Sequence, residues 1–207
     1  TERPDWIDAY TIVNYGNIEV GIIGVIGATQ ESSILTKYVE DYEFVDPLSI
    51  IEKYAKELRN EKGCEVVVVA THDYDKNLNK RIASLSNDAK IDTIFCAHTH
   101  QKVNETVSRA DGKRIPVVQN LHKNNTATGV ILSLDSNYSY KTSSVVHYNP
   151  NIYSISDDIL SLISKYQDYI DDSNIVLGNT SQYISKSTLG KYATDAMVNY
   201  IYGESMF

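Results

Sequence analysis

Two short, continuous apolar segments separated by a helical pattern constrain the fold of this chain most strongly. They occupy residues 66–70 and 91–97 and are rich in β-branched and apolar side chains, as is typical of strands covered on both faces. Between them, Leu78, Ile82 and Leu85 recur at helical spacing. A strand, a helix and a strand within about 30 residues form a βαβ unit whose strands run parallel. The sequence therefore predicts an α/β fold.

Further strand and helix patterns lie on both sides of this unit. Asp46 and Pro47 are typical of a helix start, Gly63 is typical of the residue beyond a helix end, and Glu52 with Lys56 supports the helix between them. The other predicted strands lie at residues 10–13, 18–26, 115–119, 129–134 and 140–148, with turns at residues 14–17 and 135–137. The pattern thus changes from α/β to antiparallel β along the chain.

The last quarter of the chain has a different character. An amphipathic helix with Ser156 as its N-cap is predicted and interpreted as a connector between domains. Its apolar side consists of Ile159, Leu160, Leu162, Ile163, Tyr166 and Ile170. After it come a strand-like piece at residues 175–177 and a helical pattern at residues 189–202, which are too little for an independent domain. The predicted domains are residues 1–150, a linker helix at 151–172, and the start of a further domain at 173–207.

The composition excludes several classes of protein. Hydrophobic content of 42% with 22% charged residues is typical of a globular chain. No apolar run approaches the roughly 20 residues that a membrane-spanning helix needs. The net charge of −8 argues against nucleic-acid polymers as partners, because binding to their backbone depends on basic surface. An acidic protein that handles phosphate needs a local positive centre, and bound metal ions could supply it.

The two cysteines and the first residues carry little information about location. Cys64 and Cys96 are too few for a disulfide framework and lie at or within apolar runs, so both are predicted to be buried thiols. Residues 1–8 lack the basic start and the apolar core of a signal peptide.

Three of the five histidines follow the two strands of the βαβ unit. His72 comes just after the first strand, and His98 and His100 come just after the second. Parallel strands end at the same edge of a sheet, where ligands of α/β proteins usually bind. If the second segment is extended, His98 and His100 point the same way. Because imidazole is a common ligand of zinc and similar metals, the sequence predicts a metal site.

The alternative for each histidine alone is an ordinary hydrogen-bonded loop residue. Asp73 and Asp75 could add a ligand or orient the imidazoles, although Asp75 could equally cap the next helix. His122 and His147 have no such neighbours in the sequence and are interpreted as structural.

Three glycines, spaced three residues apart, lie in and just after the predicted strand at residues 18–26. Gly21, Gly24 and Gly27 do not have the spacing of a dinucleotide-binding loop, and close packing of the strand explains them better.

The histidine segments resemble a known family. Residues 70–72 and 97–100 resemble the last two metal-binding blocks of calcineurin-like metallophosphatases of the 5'-nucleotidase branch, with Ala97 in place of the usual glycine. Residues 18–24 and 116–119 resemble strands of the same domain. Residues 178–180 and 189–197 resemble the opening of the family's carboxyl-terminal nucleotide-binding domain.

This resemblance implies the second half of a metallophosphatase β-sandwich flanked by helices, then a linker helix and the start of an α/β carboxyl-terminal domain. It implies hydrolysis of nucleotides or other small phosphoesters, as in 5'-nucleotidases or 2',3'-cyclic nucleotide phosphodiesterases, with two divalent ions from among Mn, Zn, Mg and Ca. His72 and His98 would bind one ion and His100 the other. It also implies a secreted, periplasmic or cell-surface protein.

The family's earlier motifs, Asp-x-His, Gly-Asp-x-x-Asp and Gly-Asn-His-Asp/Glu, have no counterpart in this sequence. The catalytic groups they carry are therefore expected upstream, and the chain alone is expected to be an inactive fragment. Two alternatives remain open. One is a mononuclear zinc hydrolase that uses all three histidines, and the other is a noncatalytic interaction protein on a degenerate phosphatase scaffold.

Overall fold

The computed structural model describes residues 4–123, 126–137, 140–149, 152, 154–167, 171, 181 and 183–202. The chain divides into two compact units, Thr1–Tyr153 and Ser154–Phe207. The predicted strand at residues 175–177 and the family-like segment at residues 178–180 lie outside the described residues.

The first unit is built on a six-stranded, mostly parallel sheet. Its strands are β1 (Thr11–Tyr15), β2 (Ile18–Ile26), β3 (Val66–His72), β4 (Thr93–Cys96), β5 (Val103–Ser108) and β6 (Arg114–Gln119). They lie in the order β1-β2-β3-β4-β6-β5, with the four inner strands parallel and both edge strands antiparallel to their neighbours. Strands β7 (Ala127–Leu134) and β8 (Tyr140–Tyr148) form a separate antiparallel pair. The predicted α/β fold is confirmed.

Helices occur in both units. The first unit contains α1 (Leu48–Asn60) and α2 (Lys76–Ala83), with short 3-10 helices at Ala28–Ser33, Thr36–Tyr38 and Asn87–Ala89. The second contains α3 (Asp157–Ser164) and α4 (Lys186–Tyr202). Helix α3 ends before the predicted residue 170, and residues 168–170 lie outside the described part of the chain. None of the helices in that part has the length and apolarity to cross a membrane.

The local signals at α1 act as the sequence predicts. The backbone N–H of Leu48 donates to Asp46 Oδ1 over 2.9 Å, which satisfies one free donor at the helix start. Gly63 adopts φ +76°, and the Cys64 N–H returns to the carbonyl of Leu58 over 2.9 Å to close the other end.

The hydrophobic core of the first unit lies between helices α1 and α2 and one face of the sheet. Val67 and Val69 of β3 are fully buried there. Helices α1 and α2 and the connection after α2 contribute Ile51, Ala55, Leu58, Ile82 and Ile91, all fully buried. The alternate residues Val66 and Val68 line an apolar groove of about 800 Å³ on the other face, together with side chains of β7. Strand β3 is therefore apolar on both faces, as its unbroken apolar run predicts.

Strand β5 was not predicted from the sequence. Only Val103 and Val107 are apolar in its six residues, and most of the strand is exposed. As an edge strand it takes its backbone hydrogen bonds from β6 alone, so it needs little hydrophobic pattern of its own.

A buried ion network fixes the start of β4 against its neighbours. The Asp92 carboxylate is only 2% exposed. It accepts a hydrogen bond of 2.9 Å from the backbone N–H of Val67. It also accepts one of 2.7 Å from the guanidinium group of Arg59 and one of 2.6 Å from that of Arg109. Arg109 also pairs with Asp111, holding the pKa of that carboxyl down to about 2. Asp92 thus joins α1, β3 and the turn after β5 at one buried point.

We expect Asp92→Ala to lower the free energy of unfolding by about 3 kcal/mol, because it leaves buried guanidinium groups with fewer partners. Urea unfolding of the variant measures the loss. Glu52→Ala, which removes the exposed 2.7 Å pair with Lys56, is the control and should leave stability nearly unchanged. Equal stability of both variants would show that the network contributes nothing.

Candidate metal centre

The parallel pairing of β3 with β4 brings two of the predicted histidines together. Thr71 and Cys96 are register partners, so His72 ends its strand next to the segment that leads to His98. The two imidazole rings lie with their centroids 5.2 Å apart and their planes at 70°. The predicted proximity of these two side chains at the carboxyl edge of the sheet is confirmed.

The segment after β4 is a tight turn and not the extended segment that was expected. His98 has φ 71° and His100 has φ 59°, both in the left-handed region. The Thr99 N–H donates to the carbonyl of Ala97 over 2.9 Å, which makes His98 the centre of a γ-turn. This conformation costs a non-glycine residue about 1–2 kcal/mol, and such strain clusters at functional sites.

His100 therefore does not simply repeat the direction of His98. Its ring stacks on that of His122, with centroids 3.9 Å apart and planes 9° from parallel. His122, which the sequence analysis interprets as structural, thus has a histidine neighbour from a distant part of the sequence. Within the described ranges, no group of three or more His, Cys, Asp or Glu side chains is arranged to hold a metal ion.

Gln119, at the end of β6, connects the sheet to the turn formed by His98, Thr99 and His100, called the histidine turn below. Its side chain is 3% exposed and exchanges hydrogen bonds with the Thr99 hydroxyl over 2.9 and 3.1 Å. Its amide also donates to the carbonyl of Gln101 over 2.7 Å. These bonds reach the Thr99 side chain and the Gln101 backbone, on either side of His100. One buried side chain therefore holds the strained turn in place.

The acidic residues beside His72 have different roles. Asp75 caps α2, accepting from the N–H of Asn77 over 2.7 Å, as its alternative interpretation predicts. Asp73 accepts from the N–H of Tyr74 over 2.7 Å and lies against the end of β2. A Cβ atom on Gly27 would lie 2.0 Å from Asp73 Oδ2, so glycine is needed there for the carboxylate to fit.

Close packing also explains another of the three glycines in and just after β2. A Cβ atom on Gly21 would lie 2.7 Å from a methyl carbon of Leu58, so the glycine lets α1 approach the strand.

The other side chains considered in the sequence are the two cysteines and His147. Both cysteines are buried free thiols, as predicted. Burial raises the pKa of the Cys96 thiol to about 11, so it stays protonated and unreactive at neutral pH. His147 is exposed on β8, where its Nδ1 lies 3.1 Å from the Thr128 hydroxyl.

The spacing of His72 and His98 fits a shared metal ion. Two imidazoles that bind one ion through bonds of about 2.1 Å place their ring centroids about 5 Å apart. The observed separation is 5.2 Å. The pair supplies two nitrogen donors, and a complete coordination sphere needs further ligands from elsewhere.

The fold and these side chains define an α/β protein with histidines at the carboxyl ends of adjacent parallel strands.

No family model matches the sequence. Two curated relatives do. Endonuclease YhcR of Bacillus subtilis is 33% identical over 109 residues, which cover 50% of this chain and 9% of the relative. Cell wall protein Lmo0130 of Listeria monocytogenes is 25% identical over 181 residues, which cover 74% of this chain and 22% of the relative.

Among solved structures, the 5'-nucleotidase precursor of Thermus thermophilus superposes with a TM-score of 0.64 at 20% identity. The match covers 82% of this chain and 36% of that protein. The chain thus spans about a third of the solved structure and less than a quarter of either curated relative. The chain shares the fold of the part of the 5'-nucleotidase precursor that it covers, as the sequence resemblance predicts.

We expect Gln119→Ala to release the histidine turn and to lower the free energy of unfolding by about 1–3 kcal/mol, because buried hydrogen-bonding groups lose their partner. The imidazole NMR signals of His98 and His100 should shift or broaden, whereas those of His147 should not.

Gln167→Ala, at an exposed glutamine of the second unit, is the matched control and should change neither quantity. Unchanged His98 and His100 signals in Gln119→Ala would mean that the turn is held by other contacts.

Proposed function

We propose that this chain is the histidine-bearing part of a metal-dependent phosphoester hydrolase that acts on nucleotides, of the 5'-nucleotidase or 2',3'-cyclic nucleotide phosphodiesterase type. His72 and His98 bind one divalent ion, and His100 binds a second. The observation that carries the proposal is the 5.2 Å pair of imidazoles at the ends of adjacent parallel strands.

The arrangement of the three histidines supports two ions over one. His72 and His98 lie together, whereas His100 stacks on His122. A mononuclear site would need all three imidazoles around one point.

The side chains of this chain have a limited part in the proposed chemistry. A bound divalent ion supplies positive charge at the phosphoryl oxygens, where charge develops in the transition state. As ligands, the imidazoles of His72, His98 and His100 would bring no negative charge and would leave the charge of the ion undiminished. The hydrogen bonds of Gln119 hold the histidine turn, so His98 and His100 do not have to reorganise when phosphate binds. The general acid and the remaining ligands belong to a longer protein that contains this chain.

The proposed substrate is a small phosphoester. The net charge of −8 disfavours a nucleic-acid backbone, which supports this choice. The relative from Bacillus subtilis is named an endonuclease, so a nucleic-acid substrate is the second candidate function.

The organisation and the location follow the same proposal. In this proposal residues 1–150 would be the C-terminal part of a metallophosphatase domain, residues 151–172 an inter-domain linker, and residues 173–207 the start of a nucleotide-binding domain. An extracellular, periplasmic or cell-surface location is supported by the relative that is named a cell wall protein.

In the full-length protein loaded with Mn²⁺ or Zn²⁺, we expect phosphate release from nucleoside 5'-monophosphates or 2',3'-cyclic nucleotides. His72→Ala and His98→Ala should each lower kcat/KM at least 100-fold and remove one of two bound ions, because each takes a ligand from the same ion. His147→Ala is the matched control and should change neither quantity. Enzyme assays and metal analysis of purified protein measure both.

The 207-residue chain by itself should release no phosphate. Activity in the isolated chain would mean that our account of the missing ligands is wrong. Cleavage of single-stranded DNA or RNA with no hydrolysis of nucleotides would favour the endonuclease alternative. A full-length protein that takes up metal and hydrolyses neither substrate would favour the noncatalytic scaffold.

A further inference from the structure

The stacking of His122 on His100 has no role in the proposed chemistry. The ring centroids are 3.9 Å apart and the planes are 9° from parallel, so one flat face of each ring covers the other. The nitrogens of an imidazole bind a metal through lone pairs that lie in the ring plane. Stacking therefore leaves the metal-binding edge of His100 open.

The parallel arrangement of the rings also argues against His122 as a second ligand to the ion that His100 binds. With the ring centroids 3.9 Å apart and the planes 9° from parallel, the lone pairs of the two rings run side by side and do not converge on one point. The rings of His72 and His98 lie at 70°, which allows their edges to converge. His122 therefore has the geometry of a support for His100 and not that of a second ligand to the same ion.

Hydrogen bonds fix the backbone on both sides of the stack. On the His100 side, the buried amide of Gln119 holds Thr99 and Gln101. On the His122 side, the amide of Asn120 donates to the Thr126 carbonyl over 2.7 Å and its oxygen accepts from the Thr128 hydroxyl over 3.0 Å. The rings of His100 and His122 thus come from two loops, one hydrogen-bonded to a residue of β6 and the other to a residue of β7.

We propose that His122 is a positioning residue for His100. Its ring covers one face of the His100 imidazole and limits rotation about the side-chain bonds, so that the ring edge is presented to the metal ion before the ion binds. The inference rests on the proposed function, because it assigns His100 as a metal ligand. Partners that orient a metal-binding histidine typically change metal affinity about 10–100-fold.

The test compares His122→Ala, His122→Phe and Gln167→Ala in the full-length protein by calorimetric titration with Mn²⁺ alone. His122→Ala removes the stack and should weaken the binding of one of two ions at least about tenfold. His122→Phe keeps a flat ring and removes both nitrogens, so it should bind both ions within about threefold of the unaltered protein, as a stacking role requires. Gln167→Ala replaces an exposed glutamine of the second unit and should have no effect.

A second readout needs no metal. The face of the His122 ring should shift the imidazole proton signals of His100 upfield, and this shift should disappear in His122→Ala and persist in His122→Phe. Thermal unfolding of each variant shows whether it is folded.

Each other outcome overturns a defined part of the account. Equal Mn²⁺ affinity of His122→Ala and the unaltered protein would overturn the positioning role alone. An equally large loss in His122→Phe and His122→Ala would make the nitrogens of His122 the important groups and would also overturn it. If the unaltered protein binds no Mn²⁺, both this inference and the proposed metal site fail.

Discussion

The parallel pairing of β3 with β4 is the constraint on which the candidate site depends. With Thr71 opposite Cys96, the two strands end side by side, and the residues that follow them have to share one edge of the sheet. Asp92 holds the other end of the same pair, through the N–H of Val67 and two buried guanidinium groups. A slip of the register would break these buried ion pairs and separate His72 from His98, so the stability of the first unit and the geometry of the site depend on the same register.

The site also depends on a backbone that the isolated turn would not adopt. Left-handed conformations at His98 and His100 are unfavourable for residues with a Cβ atom, and the γ-turn at His98 adds to this cost. The buried Gln119 offsets it with hydrogen bonds on both sides of His100. These hydrogen bonds hold His98 and His100 within the protein itself. Such a preorganised arrangement is what the proposed metal-assisted chemistry would require.

The sequence predicts the parts of this molecule that depend on local pattern and on topology. The apolar runs at β3 and β4 and the caps of α1 and α2 lead to the βαβ unit, and parallel strands then bring His72 to His98. It does not predict the turn at His98 and His100, because nothing in Ala97-His98-Thr99-His100 signals positive φ, which glycine or asparagine would have done. Nor does it predict the contact of His100 with His122, which depends on how two loops are held in three dimensions.

The most direct test of the metal centre is anomalous diffraction from crystals of the full-length protein soaked in Mn²⁺. The account predicts a peak within about 2.0–2.3 Å of one ring nitrogen of His72 and one of His98, and a second peak beside His100. Manganese bound elsewhere in the crystal, with the rings of His72 and His98 still in edge contact and unliganded, would contradict it.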